Sequence, residues 1–139
     1  MNPDDAKIWL RFAESDLRAA RTLLESGEFF PRQVCFFAQQ CGEKALKAIL
    51  VFEDVFFPKN HDLDRLRDLI PDSWKVKKKF PDLAELTVWA VESRYPGHSP
   101  DATEGEARDT LRLAEALFNA ISAELDERIQ QDEQDNFKD

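Results

Sequence analysis

The sequence has few of the residues that build disulfide frameworks or metal sites. Of its 139 residues, two are cysteine, two are histidine and four are glycine. Cys35 and Cys41 lie six positions apart, which is about 600° of rotation on a helix, so they point to different faces and cannot pair there. With no CxxC motif, we expect reduced, buried cysteines of a cytoplasmic protein and neither a metal site nor another cofactor.

Long apolar runs and an excess of basic residues are also absent. No apolar run approaches the roughly 18 residues of a membrane span, and the N-terminal stretch MNPDDAKIW lacks the apolar core of a signal peptide. The formal net charge is −9, from 28 acidic and 19 basic residues. As a whole, such a chain does not match nucleic acid or an anionic membrane electrostatically. The segment WKVKKKF (74–80) is a local exception, either a solvated connector or a phosphate-binding patch.

What the chain does contain is a helical hydrophobic pattern, without the alternation typical of strands. It predicts an all-α fold, an antiparallel four- to five-helix up-and-down bundle. Residues 1–130 would form one domain and residues 131–139 an acidic, disordered tail. The first predicted helix starts at Asn2–Pro3 and runs to about Glu25, and the second runs from Pro31 or Arg32 to about Phe52. A short third helix covers Leu63 to Ile70. A fourth is opened by Pro81 and runs through DLAELTVWAVES, and a last helix is started by a Thr103–Glu106 capping box.

The second predicted helix has two faces that carry apolar residues. A core stripe surrounds Cys41, while Phe36, Leu46 and Leu50 fall on the opposite side, where water would be expected. Polar residues share that side, so it either touches several neighbouring helices or forms a subunit interface. We favour an interface, with the residues Phe36, Gln39, Glu43, Leu46 and Leu50.

Asp16 lies near the centre of the apolar face of the first predicted helix. An unpaired buried carboxylate is costly. We therefore expect a partner on the second helix, either Lys44 or Lys47, in a structural ion pair that holds the register of the two helices.

Four segments together resemble the HEPN domain family. They are W-x3-A-x2-DL-x2-A-x2-LL from Trp9, CFFAQQCGEKALKA from Cys35, FPKNHDLDRL from Phe57 and RYP from Arg94. The resemblance covers about residues 5–128 and, through RYP, favours a nucleotide-binding branch. It implies a prokaryotic, usually homodimeric helical bundle that binds a nucleotide or RNA. It also implies a minimal nucleotidyltransferase partner, in a two-component toxin–antitoxin-like system.

Many HEPN proteins are metal-independent ribonucleases, whose signature is an Arg, usually followed by a polar residue, then four to six residues and a His. Here Tyr95 follows Arg94, and only three residues separate Arg94 from His98. This departure favours a non-catalytic binding module and leaves enzymatic activity open. The alternative is a ribonuclease in which His98 transfers protons and Arg94 stabilises the charged transition state. We interpret His61, in HDL, as a structural residue that helps to start a helix. The resemblance and the mixed face suggest these ligand-binding residues: Arg94, Tyr95, Lys47, Glu43 and Gln40.

Overall fold

A computed structural model describes residues 2–90 and 101–137 of the chain. Within these ranges the chain is helical and contains no strand, which confirms the predicted all-α bundle. None of the helices in these ranges has the length and apolar character needed to cross a membrane. The helices are α1 (Pro3–Ser26), α2 (Pro31–Phe52), α3 (Leu63–Asp68), α4 (Lys75–Lys79), α5 (Ala84–Thr87) and α6 (Glu104–Phe137).

The first two helices form an antiparallel hairpin whose turn depends on a glycine and a proline. Gly27 ends α1 with φ of 74°, a left-handed conformation that costs glycine little, and its N–H bonds to the carbonyl of Leu24. Pro31 then occupies the first turn of α2, where a missing N–H costs nothing. At the other end, the N–H of Asn2 donates to the carbonyl of Phe52 at 3.1 Å. The long α6 packs against both helices.

The capping box of α6 is confirmed in both of its hydrogen bonds. The Thr103 N–H donates to Glu106 Oε1, and the Glu106 N–H donates to Thr103 Oγ1, each at 3.0 Å. The helix that starts there continues to Phe137, so residues 131–137 are helical where their composition predicts a disordered tail. Glutamine and glutamate are good helix formers, and Gln131 Nε2 donates to Asp135 Oδ1 one turn later.

The segment between α2 and α6 differs most from its prediction. The connector WKVKKKF contains α4, and the helix expected from Pro81 onward is reduced to the four residues of α5 among those described. The N–H of Leu83 donates to Asp64 Oδ1 at 2.8 Å instead of continuing a helix. Contacts with α3 therefore set the local conformation here.

The second face of α2, for which the sequence analysis favours a subunit interface, is instead buried within the chain against neighbouring helices. Leu46, Leu50, Gln39 and Glu43 are all buried inside the single chain, and Phe36 is partly buried. The short helices α3 and α5 pack on α2 and cover this face. Helices are predicted in both segments, but periodicity does not show which helix they pack against.

The close approach of the covering helices depends on Gly42. A Cβ atom there would lie 2.9 Å from Leu63 Cδ2 of α3 and 3.2 Å from Leu86 Cδ1 of α5. These two leucines have no accessible surface, so they pack directly onto the bare backbone of α2.

Both cysteines are free and buried, as predicted. Burial raises the pKa of Cys35 to about 11 and the pKa of Cys41 to about 12. Because the thiolate is the reactive form, neither thiol is a nucleophile at neutral pH.

Candidate functional site

A hydrogen-bonded cluster of polar side chains is centred on Glu43, inside the covered face of α2. Glu43 Oε1 accepts from Gln39 Nε2 at 2.9 Å and lies 2.9 Å from His61 Nδ1, while Glu43 Oε2 accepts from Lys47 Nζ at 3.0 Å. Gln40 Nε2 donates to Gln39 Oε1 at 2.7 Å. We call these five residues the Glu43 cluster.

The local sequence explains how this cluster assembles. Gln39, Glu43 and Lys47 are spaced four residues apart, so they share one face of α2. His61 comes from the loop before α3, and its neighbours fix that loop. Asn60 Oδ1 accepts from the N–H of Asp62 at 2.8 Å, and the Asp62 carboxylate caps α3 by accepting from two N–H groups of its first turn.

Lys47 also lies close to two aromatic rings. Its Nζ lies 5.8 Å from the ring centre of Trp9 and 5.6 Å from that of Phe57. Only 12% of its side chain is exposed. The ammonium is thus held by a carboxylate and two ring faces. Its charge balances that of Glu43 inside the fold.

The hydrogen bonds of the cluster keep Glu43 ionised. Burial alone would raise the pKa of Glu43, but hydrogen bonds from His61, Lys47 and Gln39 together lower it below its usual value. An ionised carboxylate only accepts hydrogen bonds. It follows that Nδ1 of His61 carries a hydrogen and donates a hydrogen bond to Glu43.

A cavity of about 420 Å³ lies beside His61, the member of the cluster that lines it. The imidazole is 43% exposed, whereas the Glu43 side chain is almost completely buried. The other residues that line the cavity are Lys59, Asn60, Asp62, Thr87, Val88 and Ala90.

The structure brings together three of the predicted ligand-binding residues, Gln40, Glu43 and Lys47. The other two, Arg94 and Tyr95, lie outside the described residues, as does His98. Sequence analysis assigns His61 a structural role and does not connect it to Glu43. The tripeptide HDL contains His61, but the two side chains are 18 positions apart in the sequence, and no spacing rule pairs residues at that separation.

No metal centre is evident in the part of the chain that the structure describes, since no three His, Cys, Asp or Glu side chains converge there. The group that the Glu43 cluster offers to a ligand is the imidazole of His61, which can donate or accept a proton. The charges of Glu43 and Lys47 lie next to it.

The basic segment is held to the body of the protein by a carboxylate of α6. Glu124 is buried, and its oxygens accept from the N–H groups of Lys75 at 2.8 Å and Val76 at 3.1 Å. Lys77 Nζ is bonded to the carbonyl of Ile70 and to Asp72. The side chains of three other lysines of the segment are exposed: Lys75, Lys78 and Lys79.

Comparison with known proteins places the chain in a family. A model of the HEPN domain matches residues 6–125. The chain belongs to the HEPN domain family. A curated relative, "Putative toxin MJ1304" of Methanocaldococcus jannaschii, is 30% identical over 138 aligned positions, covering 88% of this chain and 90% of the relative.

Two solved structures share the fold over nearly their whole length. The crystal structure of TT1696 from Thermus thermophilus aligns with a TM-score of 0.75 and 27% identity, over 89% of this chain and 99% of that one. The crystal structure of ST0689, described as an archaeal HEPN homologue, aligns with a TM-score of 0.60 and 24% identity, over 90% and 98% of the two chains. The second likeness concerns the fold alone.

Proposed function

We propose that this HEPN protein is a non-catalytic module that binds a nucleotide or a short stretch of RNA. The observation that carries the proposal is the Glu43 cluster, which is internally charge-balanced and presents His61 to a cavity of about 420 Å³. A cavity of this size falls in the range typical of small-molecule sites, about 300–1,000 Å³. Equilibrium dialysis with labelled ATP, AMP and a short RNA tests it. Retention of none of these ligands at millimolar concentration would contradict it.

A ribonuclease that uses Arg94 and His98 is the second candidate. The name of the Methanocaldococcus relative favours it, since RNA cleavage is one way in which a toxin acts. The short spacing of the two residues counts against it. Incubation with a mixed RNA pool in EDTA distinguishes the candidates. Cleavage that is lost in both Arg94→Ala and His98→Ala would establish the enzyme, and intact RNA would favour the binding module.

The partner that we propose is a minimal nucleotidyltransferase, in a two-component toxin–antitoxin-like system. The support is the family together with the relative that is named as a toxin. Co-expression with a nucleotidyltransferase encoded beside this gene tests the arrangement. Co-elution of the two chains in size-exclusion chromatography is the expected result, and separate elution would contradict it.

We also propose that the module is a homodimer, formed through α1 rather than through the covered face of α2. Ile8 and Phe12, one turn apart on α1, are 42% and 58% exposed. Ile8 lines a groove of about 540 Å³ between α1 and α6. Four charged residues of α1 also line it, two acidic and two basic, so two copies related by a twofold axis can pair opposite charges. They are Asp4, Lys7, Arg11 and Glu14.

Light scattering after size-exclusion chromatography tests this surface. We expect a dimer for the wild type and a shift towards the monomer for Phe12→Asp. Phe56→Asp is the matched control, since Phe56 is even more exposed but lies in the loop after α2. A wild-type monomer at high concentration, or equal effects of the two substitutions, would contradict the proposed surface.

A further inference from the structure

We infer that the ligand is held by its phosphate, and that Nε2 of His61 and the ammonium of Lys59 bind that phosphate in the cavity before α3. This assignment rests on the proposed nucleotide-binding function and names the atoms and the ligand group that it uses. It also gives His61 a binding role in place of the structural one expected from the sequence.

The first step of the argument is the orientation of the imidazole. Glu43 Oε1 lies 2.9 Å from His61 Nδ1 and accepts its hydrogen bond, so the ring cannot turn over without losing this bond. The two nitrogens of an imidazole lie on opposite sides of the ring. Nε2 therefore points away from Glu43, on the exposed side of a ring that lines the cavity. A buried carboxylate that fixes one nitrogen leaves the other presented in a defined direction.

The second step is the balance of charge around the ring. The negative charge of Glu43 is already met by Lys47, which also lies close to two aromatic rings. An anion that reaches Nε2 thus does not approach an uncompensated carboxylate. In its protonated form the imidazole donates from both nitrogens, to Glu43 on one side and to a phosphate oxygen on the other.

The third step concerns the other groups that line the cavity. Lys59 is exposed and adds a positive charge beside His61. Asp62 would repel an anion, but one of its oxygens accepts from the N–H groups of Asp64 and Arg65. Its second oxygen lies 4.0 Å from Nε of Arg65.

The remaining walls explain why a phosphate ester fits better than free phosphate. Thr87 Oγ1 is committed, since it accepts from the N–H of Leu63 at 3.1 Å and donates to the carbonyl of Leu83 at 3.3 Å. Val88 is largely exposed on the cavity wall and offers an apolar surface to a sugar or base. The cavity thus has an end with hydrogen-bond donors at His61 and Lys59 and a neutral side at Thr87 and Val88.

The experiment follows the imidazole directly. The chain has two histidines, so its ring signals in a ¹⁵N-histidine NMR spectrum form two sets, and His98→Gln identifies the set of His61. Protein is titrated with AMP, with inorganic phosphate and with adenosine. We expect AMP and phosphate to move the His61 ring signals, AMP at the lower concentration, while adenosine at the same concentrations leaves them in place.

Substitutions of the proposed ligand-binding residues test whether Lys59 and His61 cause the change in the NMR signals. Lys59→Gln is expected to weaken the AMP titration about tenfold, the loss expected for one charge-assisted hydrogen bond. Lys78→Gln removes the same charge from the exposed basic segment and is expected to leave the titration unchanged. His61→Gln, checked for folding by circular dichroism, is expected to lower AMP retention in dialysis by a similar factor.

Two results would overturn the inference. One is an unmoved His61 signal at millimolar AMP and phosphate, and the other is a response to adenosine as strong as that to AMP. Dialysis separates this failure from a failure of the proposed function. AMP or RNA that is retained by wild type and His61→Gln alike, with His61 unmoved, places the site elsewhere and leaves the function standing. Retention of no nucleotide or RNA contradicts both.

Discussion

Lys44 Nζ on α2 lies 2.7 Å from Asp16 Oδ2 on α1, and both side chains are largely buried. The position of Asp16 on an apolar face predicts such a partner, and the two candidates are Lys44 and Lys47. The structure gives each lysine its own carboxylate, since Lys47 binds Glu43. The helices α1 and α2 are thereby joined by an ion pair that fixes their register.

Removing either partner of this pair should destabilise the protein, and removing both should cost less than the sum of the two losses. Asp16→Ala and Lys44→Ala are each expected to lower the free energy of unfolding by about 1–3 kcal/mol, because each leaves a partly buried charge without its partner. The double variant leaves no such charge. Urea denaturation measures all three. The exposed pair Glu14–Arg18 is the control, with an expected effect of about 0.5 kcal/mol or less. Additive losses at Asp16 and Lys44 would contradict the coupling.

Glu43 should make the stability of the protein depend on acid pH. Its pKa in the folded chain lies below the usual value despite burial, because His61, Lys47 and Gln39 donate to it. The stability that it contributes is therefore present above the pKa of an unfolded glutamate, about 4.3, and is lost as the pH falls through the folded pKa. We expect the free energy of unfolding to fall steadily below about pH 4.5.

A variant isolates this contribution. Glu43→Gln leaves Lys47 without its counter-charge and should cost about 3–5 kcal/mol at pH 7. The difference between wild type and variant should narrow as the pH falls from about 5 to about 3, since protonation removes the same charge from the wild type. Urea titrations at several pH values measure it. A difference that is independent of pH would show that the charge of Glu43 is not what stabilises the fold.

The two glycines Gly42 and Gly105 should respond to alanine in opposite directions. At Gly42 the new methyl would meet Leu63, Leu86 and Leu117 at 2.9–3.4 Å. The expected cost of overpacking, about 1–3 kcal/mol, exceeds the gain of about 1 kcal/mol in helix propensity. At Gly105, in the first turn of α6, the nearest atom is 3.9 Å away, so Gly105→Ala should be neutral or stabilising by up to about 1 kcal/mol. Thermal unfolding measures the stability of both variants. A stabilising effect of Gly42→Ala would show that the surrounding leucine side chains move to make room for the methyl group.

Sequence periodicity predicts the long helices here because each carries its own signals. Pro31 opens α2, and Thr103 with Glu106 opens α6, so these starts depend on residues within four positions of one another. The Glu43 cluster depends on a contact between helix and loop that spans 18 residues, and no local rule contains it.

The covering of α2 escapes prediction for a related reason. The helices α3 and α5 have six and four residues, and contacts with other elements stabilise them. The sequence predicts helices in both segments, but no local pattern shows that they pack on α2. The second face of α2, which would be exposed if the helix stood alone, is therefore buried in the folded chain. In the structure, the mixed polar and apolar character of that face corresponds to the internal Glu43 cluster.

Glu124 should control the basic segment 74–80. Its carboxylate accepts from the N–H groups of Lys75 and Val76, which open α4, so Glu124→Ala leaves two donors without a partner. We expect a loss of about 1–2 kcal/mol in the free energy of unfolding, comparable to the loss of a helix cap. Amide hydrogen exchange at Lys75 and Val76 should accelerate by more than about tenfold, since local opening no longer breaks these bonds. Glu127→Ala, an exposed site on the same helix, should change neither quantity. If exchange in α4 stayed at its wild-type rate in Glu124→Ala, packing of the short helix rather than the carboxylate would hold the lysines in place.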